Sequence, residues 1–233
     1  MKRLLVILLF APAVALAQIA AQCPQFLAYA APYWTARAGD QELCKANYAV
    51  IHRCETKTPV AVFEHITREK ISGAAHRQDD FRPDPAVHEA CRAQLKDYAG
   101  NPYDRGHMAA AGNSTQTAAI MSESFFLSNM VPQVPNNNRG IWKQLETWVR
   151  DWVSEGRDLH VISGAIYDRG YATIGNSVGV PTRLYKIVID RNKGTAAAWI
   201  IPNAPEAVAD LPKFQTSVAE VERATGIQFN IKH

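Results

Sequence analysis

Apolar and polar residues change period several times along the chain, and each change marks an element. Residues 46–52 (Ala-Asn-Tyr-Ala-Val-Ile-His) and 58–65 (Thr-Pro-Val-Ala-Val-Phe-Glu-His) are rich in β-branched and aromatic residues, which predicts two strands separated by a short polar turn. Residues 76–106 are polar and turn-rich and carry three prolines. A stretch that irregular inside a compact domain is usually functional. Residues 124–131 read as another strand. After Asn136-Asn137-Asn138-Arg139-Gly140, the residues Ile141, Trp142, Leu145, Trp148, Val149, Trp152 and Val153 recur at spacings of three and four. That is the period of a helix with one apolar face, and an Asn just before it is a natural N-cap. At that spacing the three tryptophans read as core. Strands follow at about 159–166, 183–190 and 196–202, and a final amphipathic helix at 213–225. Strands, one long helix, strands and a helix, without regular β–α alternation, predict an α+β fold with a central antiparallel sheet. No linker divides the chain, so residues 18–233 are expected to form a single domain.

The composition adds limits. Of 233 residues, 47% are hydrophobic and 20% charged, which excludes disordered, collagen-like and coiled-coil chains. Lys2 and Arg3 precede an apolar run from Leu4 to Phe10, and small residues follow to Ala15-Leu16-Ala17. This is the pattern of a secretory signal peptide over residues 1–17, and it implies export to the periplasm or the medium. The 14 residues from Leu4 to Ala17 are too few for a membrane span, which needs about 20. Cleavage after Ala17 would lower the formal net charge from +3 to +1. A strongly basic nucleic-acid-binding tail is thereby excluded, and an anionic partner must be held locally. The four cysteines, Cys23, Cys44, Cys54 and Cys91, have no C-x-x-C spacing. In an oxidising compartment they predict two disulfides, with three connectivities open.

Several common catalytic motifs are missing. His88-Glu89 lacks the second His of a zincin, there is no Gly-x-Ser-x-Gly, and Gly175 and Gly179 are not followed by a P-loop Lys. One segment concentrates chemistry: Asp104-Arg105-Gly106-His107, continuing to Asn113. Arg105 can fork onto a phosphate, Gly106 lets backbone approach a ligand, and His107 can be a neutral base near pH 7.

This segment resembles the D-R-G-H motif of the DNA/RNA non-specific endonucleases, ββα-metal enzymes of which mitochondrial endonuclease G is one. Asn129-Met130-Val131-Pro132-Gln133 and Asn138-Arg139-Gly140-x-Trp142-x-x-Leu145-Glu146 fit the family's next block. Thr58-Pro59 to Glu64-His65-Ile66-Thr67 and Pro181-Thr182-x-x-Tyr185-Lys186 fit as well, so the resemblance runs from about Leu43 to Phe229. Asn113 departs from it, since many bacterial members carry Asp there.

The resemblance implies His107 as general base and Asn138 as the one side-chain metal ligand. Glu146 would reach the metal through water, and Arg105 would assist at the phosphate. Arg77 stands where the family has a second phosphate-contacting Arg. The expected cofactor is Mg²⁺, with Mn²⁺ as substitute. A straight helix would separate Asn138 and Glu146 by about 12 Å of rise, which favours the water-mediated role for Glu146. Asp104 reads as structural, pairing Arg105 or orienting the loop, and Asn129 as a supporting residue. Arg139 and Lys143 read as a solvated face. Resemblance to secreted members implies Cys23–Cys44, leaving Cys54–Cys91.

The expected activity is metal-dependent hydrolysis of DNA and RNA phosphodiesters without strong sequence preference, giving 5′-phosphate products. Two other readings stand beside it: a secreted nucleic-acid-binding module without catalysis, and a phosphodiesterase acting on small esters. An inhibitor protein would fit such a nuclease as a partner, because misrouted enzyme would attack its host's own nucleic acid. With an ordinary His107 as base, activity should fall below roughly pH 6.

Overall fold

The computed structural model describes residues 19–232; the leader expected at 1–17 lies outside the described residues. The β-rich segments assemble into one seven-stranded sheet. Its strands are β1 (Gln41–Cys44), β2 (Tyr48–Arg53), β3 (Thr58–Ile66), β6 (Leu159–Ile166), β9 (Arg183–Asp190), β10 (Thr195–Pro202) and β11 (Gln215–Thr216). They lie in the order β1-β2-β3-β6-β9-β10-β11, and every neighbouring pair is antiparallel. Two small ribbons stand apart, β4 (Asp104–His107) with β5 (Met130–Gln133), and β7 (Thr173–Ile174) with β8 (Val178–Gly179). The helices are α1 (Ile19–Gln22), α2 (Pro24–Leu27), α3 (Arg68–Ile71), α4 (Ala118–Glu123), α5 (Lys143–Ser154) and α6 (Val218–Thr225).

Side chains alternate across a strand, so a sheet covered on both sides needs two apolar faces. In β3, Val62 and Ile66 join the core that holds Val131 of β5 and Leu145, Val149 and Val153 of α5. Ala61 and Phe63 face the other core, with Phe26 and Leu27 of α2, Val221 of α6 and Phe229. The result is three layers, with the β4–β5 ribbon and α5 on one side of the sheet.

The expected strands at 58–65, 159–166, 183–190 and 196–202 are all present, with ends shifted by a residue at most. Residues 124–131 differ: Leu127–Asn129 is a 3₁₀ turn, and the strand is Met130–Gln133. The Asn129 side chain competes with regular pairing there. Its Nδ2 donates to Ser124 O at 2.8 Å and Ala109 O at 2.9 Å, and its Oδ1 accepts from Ala109 N at 2.9 Å. The last helix starts later than expected, because the Ser217 hydroxyl caps it by accepting from Glu220 N at 3.1 Å. Val208–Phe214 before it, with Pro212, is 3₁₀. The short edge strand β1 buries only Leu43 and had no alternating pattern to announce it.

Both disulfides form, Cys23–Cys44 and Cys54–Cys91, closing separations of 21 and 37 residues. The second ties β2 to the irregular segment that leads from Arg77 to β4. Replacing Cys54 and Cys91 together by Ser is expected to lower unfolding free energy by about 2–4 kcal/mol. Urea titration checks this; an unchanged midpoint would show that the bridge adds nothing.

Candidate active site

The site grows from the β4–β5 ribbon. Arg105 and His107 are two residues apart in β4, so both project from one side. The register sets Asp104 opposite Gln133, Gly106 opposite Val131 and His107 opposite Met130. A Cβ on Gly106 would collide with the Gln133 side chain, so the space that the sequence assigned to a ligand belongs to Gln133 instead. Gln133 Nε2 donates to Asn137 Oδ1 at 2.7 Å, and Asn137 Nδ2 to Pro202 O at 2.7 Å. Ribbon, helix entry and main sheet are thereby joined at the residue before Asn138.

That entry is not a capped straight helix. Asn137–Trp142 is a π-helical turn broken at Gly140 (φ −107°, ψ −105°), and Asn136 makes no side-chain cap. π turns inside helices often serve functional sites. The spacing argument for a straight helix therefore does not describe Asn138 and Glu146. Both line one cleft of about 620 Å³, with His107, Arg105, Arg77, Arg139, Lys143 and Arg150. The structure thus brings together every residue expected at the site.

Asn138 Nδ2 donates to Asp104 Oδ2 at 2.9 Å, which leaves its Oδ1 free of hydrogen bonds among the described residues. Asp104 pairs with Arg139 and not with Arg105, through bonds of 2.8 and 2.6 Å. Partial burial would raise the Asp104 carboxyl, but bonds from Arg139 and Asn138 outweigh it and hold it below the usual range. Arg139 is therefore fastened to Asp104 while its side chain stays 72% exposed. The guanidinium of Arg105 lies 4.2 Å over the Phe81 ring, and that of Arg77 4.9 Å over Phe125. Asn129 is a buried stitch of the loop, as expected. Trp142 is core and also donates to the His107 carbonyl at 3.2 Å.

His107 is 8% exposed and packs edge-on against Phe125 at 5.0 Å. Its Nε2 is buried without a partner among the described residues. Burial first, then the Arg77 charge, pushes its pKa down to about 3. The ring is neutral across the whole physiological range, so an acid limb near pH 6 does not belong to His107 in the free protein.

Sequence reasoning gave no role to the charges behind the cleft wall. Glu64 is 3% exposed; its Oε1 accepts from Asn113 Nδ2 at 2.9 Å, and its Oε2 has no partner among the described residues. Asn113 Oδ1 in turn meets Arg150 Nη1 at 3.4 Å. Lys186, 2% exposed, donates to Ser163 Oγ at 2.5 Å and lies 4.5 Å over Trp142. Burial lifts Glu64 to about 7 against the opposing charge of Lys186. Burial also raises Glu146, with Lys186, Arg150 and Arg77 opposing. Glu64 and Lys186 sat inside the recognised sequence blocks, so the signal was present but carried no chemistry of its own.

These shifts fix a pH dependence of stability. Between about 3 and 6.5 the unfolded His107 binds a proton that the folded one does not, so stability falls as pH drops through that window. Glu64 acts oppositely: between about 4.5 and 7 the folded form binds the extra proton, so stability rises as pH drops. Of these two, Glu64 offsets His107 from about 6.5 to 4.5. His52 and His160, likewise lowered by burial, add to the His107 side, and Glu146, raised by burial, adds to the Glu64 side. Glu64→Gln is therefore expected to make the thermal midpoint fall more steeply, as pH is lowered from about 7 to 4.5, than in the unaltered protein. Parallel curves over that window would show that Glu64 takes up no proton there.

One other cluster could hold a cation by proximity: ligand atoms of His65, Asp158 and His160 lie within 4.8 Å of one another. It sits on the opposite sheet face from Glu64. The two rings are stacked, 4.3 Å apart at 3°, so their in-plane lone pairs cannot converge on one ion. His65 Nε2 is already bonded to Asp158 at 2.6 Å, and Asp158 to Arg191 at 2.5 Å. This is a hydrogen-bonded brace. The donor set that suits a hard cation is in the cleft: a free amide oxygen on Asn138 and the Glu146 carboxylate.

The chain is 34% identical over 201 residues to mitochondrial nuclease EXOG of Xenopus laevis, covering 78% of this chain and 56% of that protein. It is 32% identical over 201 residues to mitochondrial endonuclease G of Homo sapiens, covering 79% and 68%. The chain thus spans little more than half the length of the first relative. The fold matches a crystal structure of an EndoG/EndoGI complex, described as showing the mechanism of EndoG inhibition. That match has a TM-score of 0.79 and 30% identity, and covers 88% of this chain and 90% of that one. A family model matches residues 31–232, nearly all of the described structure, and with it the chain belongs to the DNA/RNA non-specific endonuclease family.

Proposed function

We propose that this protein is an exported, Mg²⁺-dependent endonuclease that hydrolyses DNA and RNA phosphodiesters without strong sequence preference. The observation that carries the reading is the cleft itself. A neutral, buried His107, an amide oxygen held free on Asn138 and the carboxylate of Glu146 face one space edged by Arg77, Arg105, Arg139, Lys143 and Arg150. The cations hold the polyanion, and the Arg105 and Arg77 guanidinium groups rest over the Phe81 and Phe125 rings. His107, unprotonated at neutral pH, takes the proton from the attacking water, and the negative phosphate beside it would raise its proton affinity. Asn138 would hold Mg²⁺ as its one side-chain ligand, with Glu146 acting through water, and the ion would supply charge neutralisation at the phosphate and leaving oxygen when bound. An inhibitor protein remains a proposed partner, and export rests on the leader-like first 17 residues.

No 2′-hydroxyl is used as nucleophile, so DNA and RNA should both be cut. No helix-turn-helix, zinc finger or basic region presents side chains to base edges, so sequence preference should be weak. The test is digestion of matched single- and double-stranded DNA and RNA with Mg²⁺, with and without EDTA, followed by end-labelling. Cleavage of all three with 5′-phosphate ends is expected. RNA-only cleavage with 2′,3′-cyclic phosphates would overturn the water-attack chemistry. Binding without cleavage would favour a non-catalytic module, and turnover of small esters alone a phosphodiesterase.

A further inference from the structure

A second groove, of about 500 Å³, adjoins the cleft and shares Arg77, Arg105, Asn138 and Arg139 with it. A chain whose phosphate sits at Asn138 can therefore continue into this groove. Its wall adds two tyrosines, Tyr98 and Tyr103. Tyr98 is 7% exposed and packs with Leu127, Met130 and Val178, its hydroxyl buried, so it serves as wall. Tyr103 is half-buried, and among the described residues its side chain makes no ring contact and no hydrogen bond. Phe81, by contrast, is already covered by Arg105 and packed on Phe125.

The groove's two carboxylates do not repel a phosphate chain as free charges. Asp79 is paired with Arg77 at 2.6 Å and Asp104 with Arg139 at 2.6 Å. Guanidinium groups along one edge and a free aromatic ring match two parts of a nucleoside phosphate. The phosphate takes the guanidinium, and the flat base takes the ring.

We propose that this groove is a nucleoside subsite, seating the nucleoside beside the phosphodiester in the cleft, with Tyr103 as stacking surface. The inference rests on the reading of the neighbouring cleft as a phosphodiester site. Stacking tolerates every base, so the subsite adds affinity without sequence preference.

The test uses the whole protein in EDTA, so that binding is read apart from cleavage. Fluorescence anisotropy measures the Kd of a labelled DNA hexamer and of a hexamer made entirely of abasic sites. Tyr103→Ala should weaken binding of the intact strand about 5-fold or more and leave the abasic strand nearly unchanged. Tyr103→Phe should retain full affinity. With Mg²⁺ restored, Tyr103→Ala should raise KM on the hexamer and spare kcat. Thermal melts confirm that each variant folds. Unchanged affinity of Tyr103→Ala for the intact strand would overturn the subsite, as would an equal loss on both strands. If the unaltered protein binds neither strand, the phosphodiester reading itself fails, and the subsite with it.

Discussion

His107→Ala is expected to reduce phosphodiester cleavage by about 10²–10⁴-fold, the usual size of a general-base contribution, while the protein stays folded. The site explains why the loss should be that large. No other neutral base lines the cleft; its remaining titratable members are the cations Arg77, Arg105, Arg139, Lys143 and Arg150 and the carboxyl of Glu146. The site also explains why the fold should survive. The ring packs on Phe81 and Phe125, but its Nε2 has no partner among the described residues, so its removal strands no hydrogen-bonding group of theirs at that atom. The backbone of residue 107 keeps its two structural duties, pairing with Met130 and accepting the Trp142 indole. Steady-state rates beside a thermal melt check the result. Near-wild-type turnover in a folded variant would remove His107 from the chemistry.

The main strands of this fold were readable because each carries its own pattern. β3, β6 and β9 lie in the middle of a sheet buried on both faces, and such strands read as continuous apolar runs; β10 is only partly buried but still carries the run Ala196–Ile201. What failed was governed by contacts distant in sequence. Residues 124–131 look like a strand, yet Asn129 binds backbone twenty residues away and turns the chain. The Asn136–Asn138 run looks like a helix cap, yet Asn137 and Asn138 spend their amides on Pro202 and Asp104. The site followed the same division. His107, Arg105, Asn138 and Glu146 were legible because their spacing is a motif, and Arg77 because a block of the family has an arginine there. Glu64, Asn113 and Lys186 come from three separate strands and loops, and only folding brings them behind one wall. A buried charge has no sequence signature, since what makes it unusual is the burial.

The second large effect concerns the metal. EDTA is expected to abolish cleavage, Mg²⁺ or Mn²⁺ to restore it, and Asn138→Ala to lower the rate by at least about 10²-fold, consistent with loss of several kcal/mol of charge stabilisation. The same variant should need more Mg²⁺ for half-maximal rate. Asn138 is the residue whose amide oxygen is both free and aimed by a bond at its other end, through Asp104. Removing it leaves Asp104 its two bonds from Arg139, so folding should change little. Asn138→Asp separates geometry from charge. It keeps an oxygen ligand but sets a second carboxylate against Asp104, which repels it and turns it from the position the amide holds. Its rate should therefore stay well below that of the unaltered protein although its formal ligand charge is greater. A site with one neutral side-chain ligand, surrounded by arginines, binds a cation weakly until a phosphate arrives to share it. Dialysed protein should consequently contain little metal, and titration calorimetry with Mg²⁺ alone should give a weak signal. Stoichiometric zinc retained through dialysis, or full activity of Asn138→Ala at low Mg²⁺, would show that the ion is held elsewhere.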